Sequence, residues 1–297
     1  KQFDRLEAAL AQAKAGDTIA VHPRASNAPY EKIALLISIP RLTIKGVGEK
    51  RIVLSGDGYD YSGRGRIPRA IVQFNPGADN CTLENFELRG ARNDSFNGAG
   101  VRINQANNVT VRNCLIHDND MGIMSNGDGT PETAQNQLID NCIIHSNGTV
   151  KHPGFNHNLY LGGTSVTVRG CDIHSAVTGH NLKSRAHRTI VLGCYIHDSA
   201  NRELDLVDHK TDTARPDSDA VLIANLIVKH PKCPGNRGTI HFGQDGGNPH
   251  TGTLYLAHNL IHSPYVTPVV TLSSPQAKMV YLSGTVWAKG PWLAWGK

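Results

Sequence analysis

The 297 residues contain no run of about 18 apolar side chains, so no membrane-spanning helix is expected. Aromatic residues make up only 6% and methionine fills three positions, sparse material for the thick core of an ordinary globular enzyme. Lysines and arginines are scattered, with no basic run and no basic patch interleaved with aromatics, which argues against nucleic acid as a partner. The chain has no C-x-x-C pair, no H-E-x-x-H, no phosphate-binding glycine loop and no G-x-S-x-G. Metalloprotease, P-loop and α/β-hydrolase chemistries therefore have no foothold in the sequence. Cysteine is limited to six positions, whose spacing argues against a disulfide framework for reasons given below.

What is present is Val, Ile and Leu in short alternating stretches, separated by Asn and by 30 Gly. The formal net charge is +5 with a pI near 8.9, a mildly basic surface that suits an acidic polymer. The chain opens on Lys1 rather than Met, as after removal of an export signal or from a trimmed start. A secreted or periplasmic location and a monomeric state are the expectations.

A near-repeat organises the middle of the chain. His157-Asn158-Leu159-Tyr160 returns as His180-Asn181-Leu182-Lys183 and again as Arg202-Glu203-Leu204-Asp205, at spacings of 23 and 22 residues. One short strand per 20–30 residues is the signature of a solenoid. From residue 80 onward Asn85, Asn113, Asn141, Gly170, Gly193, Asn225 and Asn259 align as one turn position, a column where asparagine tolerates left-handed φ and bonds along the stack. The residue after each is Phe86, Cys114, Cys142, Cys171, Cys194, Leu226 or Leu260. This places four cysteines in an inward column shared with Phe86 and Leu226, as stacked free thiols acting as small hydrophobes. Cys81 and Cys233 stay unassigned. The apolar pairs Val109/Val111, Val166/Val168, Ile190/Leu192 and Val221/Ile223 mark the inward faces of strands. His117, His145, His174 and His197 form an outward column, read as a solvated ladder in preference to a metal or substrate stripe.

Residues 3–15 read as an amphipathic helix, and 1–16 as a cap over the open end of the coil. The expected fold is all-β: a single-domain right-handed parallel β-helix solenoid over 1–297, with a short N-terminal helical cap and stacked coils over 40–285. Over that stretch the pattern resembles right-handed parallel β-helices of the pectate-lyase-like kind. The resemblance implies action on, or binding of, polysaccharides.

Taking Val101, Ile123, Leu159, Leu182, Leu204 and Ile240 as inward, strand alternation puts Arg102, Met124, Tyr160, Lys183, Asp205 and His241 in one outward column. Asn158, Asn181, Glu203 and Arg185 share the face if the same alternation continues outside each strand. Adjacent rungs are about 4.8 Å apart, so an extended sugar chain can lie along this wall. His157 and His180, next to the inward leucines, read as buried and satisfied within the stack, with His157 also a candidate for substrate contact and His180 for assistance.

Three chemistries fit such a face. Eliminative cleavage of a uronate needs a group to neutralise the carboxylate, a base for the C5 proton and a donor for the leaving oxygen. The spacing of Asn181, Glu203-Leu204-Asp205 and Lys210 is similar to the family of alginate lyases and chondroitinase B. That resemblance implies a Ca²⁺ held by Asn181, Glu203 and Asp205, with Lys210 as catalytic base and Arg237 as partner arginine. The sequence departs from the family in having Asp at the second acidic position and in placing Lys183 beside the cation. The metal-free alternative uses Arg185 as neutraliser, Lys183 or Tyr160 as base, Arg185 favouring the neutral amine of Lys183, and His180 or His241 as helper. Arg102, Asn158, His157, His241 and Arg237 are candidates for holding substrate. The second chemistry is glycoside hydrolysis by Glu203 with Asp205 or Asp208, and C5-epimerisation would share the first step of the lyase. The third is a non-catalytic carbohydrate-binding solenoid. Gly235–Gly238 and Gly243–Gly247 read as loops over the groove, and 211–219 as a polar loop able to close on substrate.

Overall fold

The computed structural model describes residues 1–295. Strand pairing is parallel throughout and runs from Thr18 to Trp295, wider than the 40–285 read from the repeat. Among the described residues the strands form a sheet of seventeen and a sheet of ten, wound as a right-handed parallel β-helix. The cap is shorter than expected, a helix over Leu6–Gln12 whose Leu6 is buried against the first rungs.

Register explains the stability of the coil. Ile44, Leu83, Val111, Ile139, Val168, Val191, Leu222 and Leu256 pair successively up the larger sheet, and all are fully buried. Val72, Val101, Ile123, Leu159, Leu182, Leu204, Ile240 and Val270 do the same in the ten-stranded sheet. Each such side chain contributes about 1.5–3 kcal/mol by leaving water, which a bore only one residue wide can collect rung after rung. Val109/Val111 and Val166/Val168 face inward as expected, but Ile190/Leu192 and Val221/Ile223 do not. Val191 and Leu222 take the inside instead. In Thr189–Leu192 and Ala220–Ile223 every residue can be buried, so the apolar pattern has no phase to read.

The turn column is also corrected at its end. Asn85, Asn113, Asn141, Gly170 and Gly193 sit at positive φ as expected, but the next turns place Ala224 and His258 there. Asn225 and Asn259 have moved one step inward, continuing the cysteine column. Asn225 Oδ1 accepts from Cys194 N at 2.9 Å, and Asn225 Nδ2 donates to Asn259 Oδ1 at 2.9 Å. Leu226 is consequently paired with Tyr195 and exposed. All six cysteines are free and buried. Cys81 Sγ accepts from Leu42 N and Cys233 Sγ donates to Ala200 O, each at 3.4 Å, which gives the two unassigned thiols structural places.

Candidate active site

The ten-stranded sheet carries the outward column in the expected order. Gln73, Arg102, Met124, Tyr160, Lys183, Asp205, His241 and Thr271 are register partners on successive rungs. A groove of ≈ 460 Å³ lies on the first part of this column, floored by Leu36, Gln73, Arg102, Met124 and Tyr160. Its walls bring Arg66 and Arg69 from the loop before the strand Ala70–Phe74, and Arg185, His209 and Asp212 from beyond the strand ends. Four guanidiniums thus face the groove. The one carboxylate in its lining, Asp212, is buried and paired with His209 Nδ1 at 3.2 Å and Arg215 at 3.5 Å. Burial raises Asp212, against the pull of His209 and Arg215.

At the end of the groove the Arg185 guanidinium makes three contacts. Nε donates to the Tyr160 hydroxyl at 3.1 Å, Nη1 to the Asp208 carbonyl, and Nη2 to Asp245 Oδ2 at 2.8 Å. Two of its five N–H groups are left for a ligand. The Tyr160 ring stands edge-on to His157 at 5.3 Å, and His157 stacks on His180 at 5.0 Å. Burial, then the nearby His180 and Lys183 charges, push His157 well below the usual imidazole range. Burial likewise brings His180 down to about 4 despite its neighbour Asp205. Both rings are neutral at ordinary pH, and His157 Nδ1 accepts the His180 backbone N–H at 2.9 Å.

Lys183 is not a free amine. Its Nζ lies 2.6 Å from Asp245 Oδ2 and 2.9 Å from Asp205 Oδ2, and an ammonium held between two carboxylates donates protons more readily than it accepts them. The expectation that Arg185 keeps Lys183 neutral is therefore corrected. Asp205 is wholly buried among Lys183, Arg202 (2.9 Å), His241 (2.8 Å) and His180 (3.3 Å). Burial alone would raise its carboxyl, but these neighbours hold it well below the usual range. His241 passes its other nitrogen to Ser273 Oγ at 2.6 Å, so it supports Asp205 from behind the groove.

Asn158, Asn181 and Glu203 are not on this face. Each precedes the first residue of its strand, Leu159, Leu182 or Leu204, and sits in the corner where alternation does not apply. Their side chains run inside the coil as a buried row. Asn119 Nδ2 donates to Asn147 Oδ1, Asn147 Nδ2 to Asn158 Oδ1, Asn158 Nδ2 to Asn181 Oδ1 and Asn181 Nδ2 to Glu203 Oε2, at 3.1, 2.9, 2.8 and 2.6 Å. Glu203 Oε1 meets the fully buried Lys229 at 3.5 Å. Burial pushes Glu203 up to about 7, opposed by Lys229, the Ser199 N–H and Asn181.

The calcium set does not fit these residues. Asn181 uses both amide protons, on Glu203 and His197 O, and its oxygen already accepts from Asn158 and from Ala176 N. Glu203 is neutralised by Lys229, and Asp205 faces a different direction with Lys183 and Arg202 upon it. The hydrolase pair fails for the same reason, since Glu203 never reaches the groove. Lys210 lies beyond the strand end at Val207, exposed and outside the groove lining. Arg237 is exposed on its own loop, stacked over the Tyr265 ring at 5.0 Å. The 211–219 loop is pinned, with Thr213 Oγ1 bonded to His209 O and Pro249 O. On the other side of the coil His117, His145, His174 and His197 stack at 4.7–5.1 Å as the outward ladder expected. His197 is already held by Asp198 at 2.7 Å and Asp172 at 3.2 Å.

Sequence reasoning missed Asp245, Arg66, Arg69, Arg202 and His209. The only signal for Asp245 was its glycine-rich setting, which marked a loop over the groove without saying what that loop would touch.

The family model for the right handed beta helix region matches residues 70–214, and the chain is a right-handed parallel β-helix protein. Among solved structures it is similar to the alginate lyase from Paenibacillus sp. str. FPU-7, at 16% identity and TM-score 0.65, covering 98% of this chain and 95% of that one. It is also similar to pectate lyase Pel9A, at 15% identity and TM-score 0.52, covering 96% of this chain and 72% of that one. At these identities the likeness establishes the fold. No curated protein matches the chain.

Proposed function

We propose that this β-helix cleaves an acidic, uronate-containing polysaccharide by β-elimination, without a resident metal. The observation that carries the reading is the Tyr160–Arg185 pair at the end of a groove faced by four arginines. A uronate carboxylate is neutralised by the two free N–H groups of Arg185, which makes the C5 proton removable. Tyr160, its oxygen already receiving Arg185 Nε, takes that proton as the C4–O bond breaks and the C4=C5 bond forms, then returns it to the leaving oxygen. Lys183 holds Asp205 and Asp245 in place and acts as a positioning residue. The two similar lyases of the same fold support the reaction class. Export is part of the same proposal, since a polymer of this kind is met outside the cytoplasm. Among the described residues, no helix is long and apolar enough to cross a membrane.

The test is incubation with a panel of polyuronates, following the ultraviolet absorbance of the unsaturated product with and without a chelator. Absorbance that rises equally in both supports the proposal. New reducing ends without absorbance would mean hydrolysis, altered C5 configuration without cleavage would mean epimerisation, and binding alone would mean a carbohydrate-binding solenoid. Loss of activity on chelation would return the metal to the mechanism.

A further inference from the structure

We infer that the groove takes the end of a polyuronate chain and that the polymer is shortened from one terminus. This rests on the lyase reading for which bond is broken, but on the shape of the groove for where along the chain it is broken. The outward column changes character at a single step. Leu36, Gln73, Arg102, Met124 and Tyr160 are partly exposed and floor the groove, whereas Lys183, Asp205 and His241 on the next three rungs are 8%, 0% and 4% exposed. Five open rungs give a floor of about 19 Å. Beyond Tyr160 the wall is continuous.

The loop that makes this wall is fixed. Asp208 accepts four hydrogen bonds from it, from the backbone N–H of Asp245, Gly246 and Asn248 and from Asn248 Nδ2. These bonds bring the Asp208 carboxyl down to about 2, against its burial. Gln244 adds a two-way bond through Ser273 Oγ, at 2.8 and 3.0 Å. Asp245 then reaches back to Lys183 and Arg185, with 38% of its side chain still exposed. A polymer continuing past Tyr160 would meet a tethered loop, and its next carboxylate would meet the carboxylate of Asp245. The cationic side of the groove attracts a uronate chain while this end repels its continuation. Both effects select a terminus.

The experiment uses the full chain carrying Tyr160→Phe, to suppress turnover, titrated with polygalacturonate and polymannuronate fractions of graded length. One protein bound per chain at every length is expected. In parallel, the unmodified protein should release unsaturated products confined to the shortest sizes from the first time points. Protein bound in proportion to chain length, or an early spread of product sizes, would overturn end binding while leaving elimination in place. Products that lack the unsaturated bond would overturn elimination, and the stoichiometry would still decide the present inference. No binding to either polymer overturns both. Asp208→Ala, which releases the loop, should raise the number of proteins bound per long chain.

Discussion

Lys183 and Asp245, 62 residues apart in the chain, meet at 2.6 Å between Nζ and Oδ2. The same carboxylate oxygen lies 2.8 Å from Arg185, so one loop residue neutralises part of the positive charge at the end of the groove. Asp245→Asn keeps the size of the side chain and removes its charge. The expected result is a KM for polyuronate about threefold lower at low ionic strength, from a gain of well under 1 kcal/mol, with the difference fading as salt is raised. A KM unchanged at all salt concentrations would mean that Asp245 does not influence the bound carboxylate.

Tyr160→Phe removes the hydroxyl that Arg185 Nε contacts but preserves the ring that stands against His157. Turnover should fall about 10²–10⁴-fold with the thermal midpoint unchanged. Arg185→Lys should be nearly as damaging, because an ammonium cannot serve Tyr160, the Asp208 carbonyl and Asp245 together. Steady-state kinetics alongside thermal melts separate these losses from misfolding. Retention of most activity in Tyr160→Phe would remove that residue from the mechanism.

Glu203 and Lys229 are both fully buried, and removing one strands the charge of the other. Lys229→Met should destabilise the protein by about 3–5 kcal/mol. Adding Glu203→Gln should restore most of that loss, since neither side chain then carries charge. Urea or thermal unfolding of the two variants checks the pair, and equal loss in both would show that packing, not charge, dominates.

Two buried groups act on stability with opposite sign as pH changes. His180 has a folded value of about 4, below the ordinary 6.5, so its contribution is intact above 6.5 and is lost as pH falls toward 4. That window corresponds to roughly 3 kcal/mol. Glu203 has a folded value of about 7, above the ordinary 4.5, so its contribution is full below 4.5 and is lost as pH rises through 7. Unfolding measured across pH should show His180→Gln flattening the acid limb and Glu203→Gln flattening the alkaline one. If neither variant changes the profile, other groups control it.

The outward column from Arg102 to His241 was readable because its residues lie inside strands, where side chains alternate without exception. The free-thiol column was readable for the same reason. What failed lay at corners and in apolar runs. Asn158, Asn181 and Glu203 stand one residue outside their strands, where the chain bends and a side chain can turn inward. Ile190/Leu192 and Val221/Ile223 gave the wrong phase because the residue between each pair is apolar too. The roles of Asp245 and Lys229 depend on contacts with other rungs, which no local pattern announces.

The interior amide row has a direction. Each asparagine from Asn119 to Asn181 donates its N–H toward the C-terminal neighbour, and the row stops at a carboxyl group that receives the last of these bonds. Glu203 therefore behaves as a terminus that sets which way round all four amides stand, with the distant cap at Asn119 oriented by a residue four places away. An amide side chain at 203 could both give and receive. The row could then reverse, and one well-defined interior would become two interconverting ones.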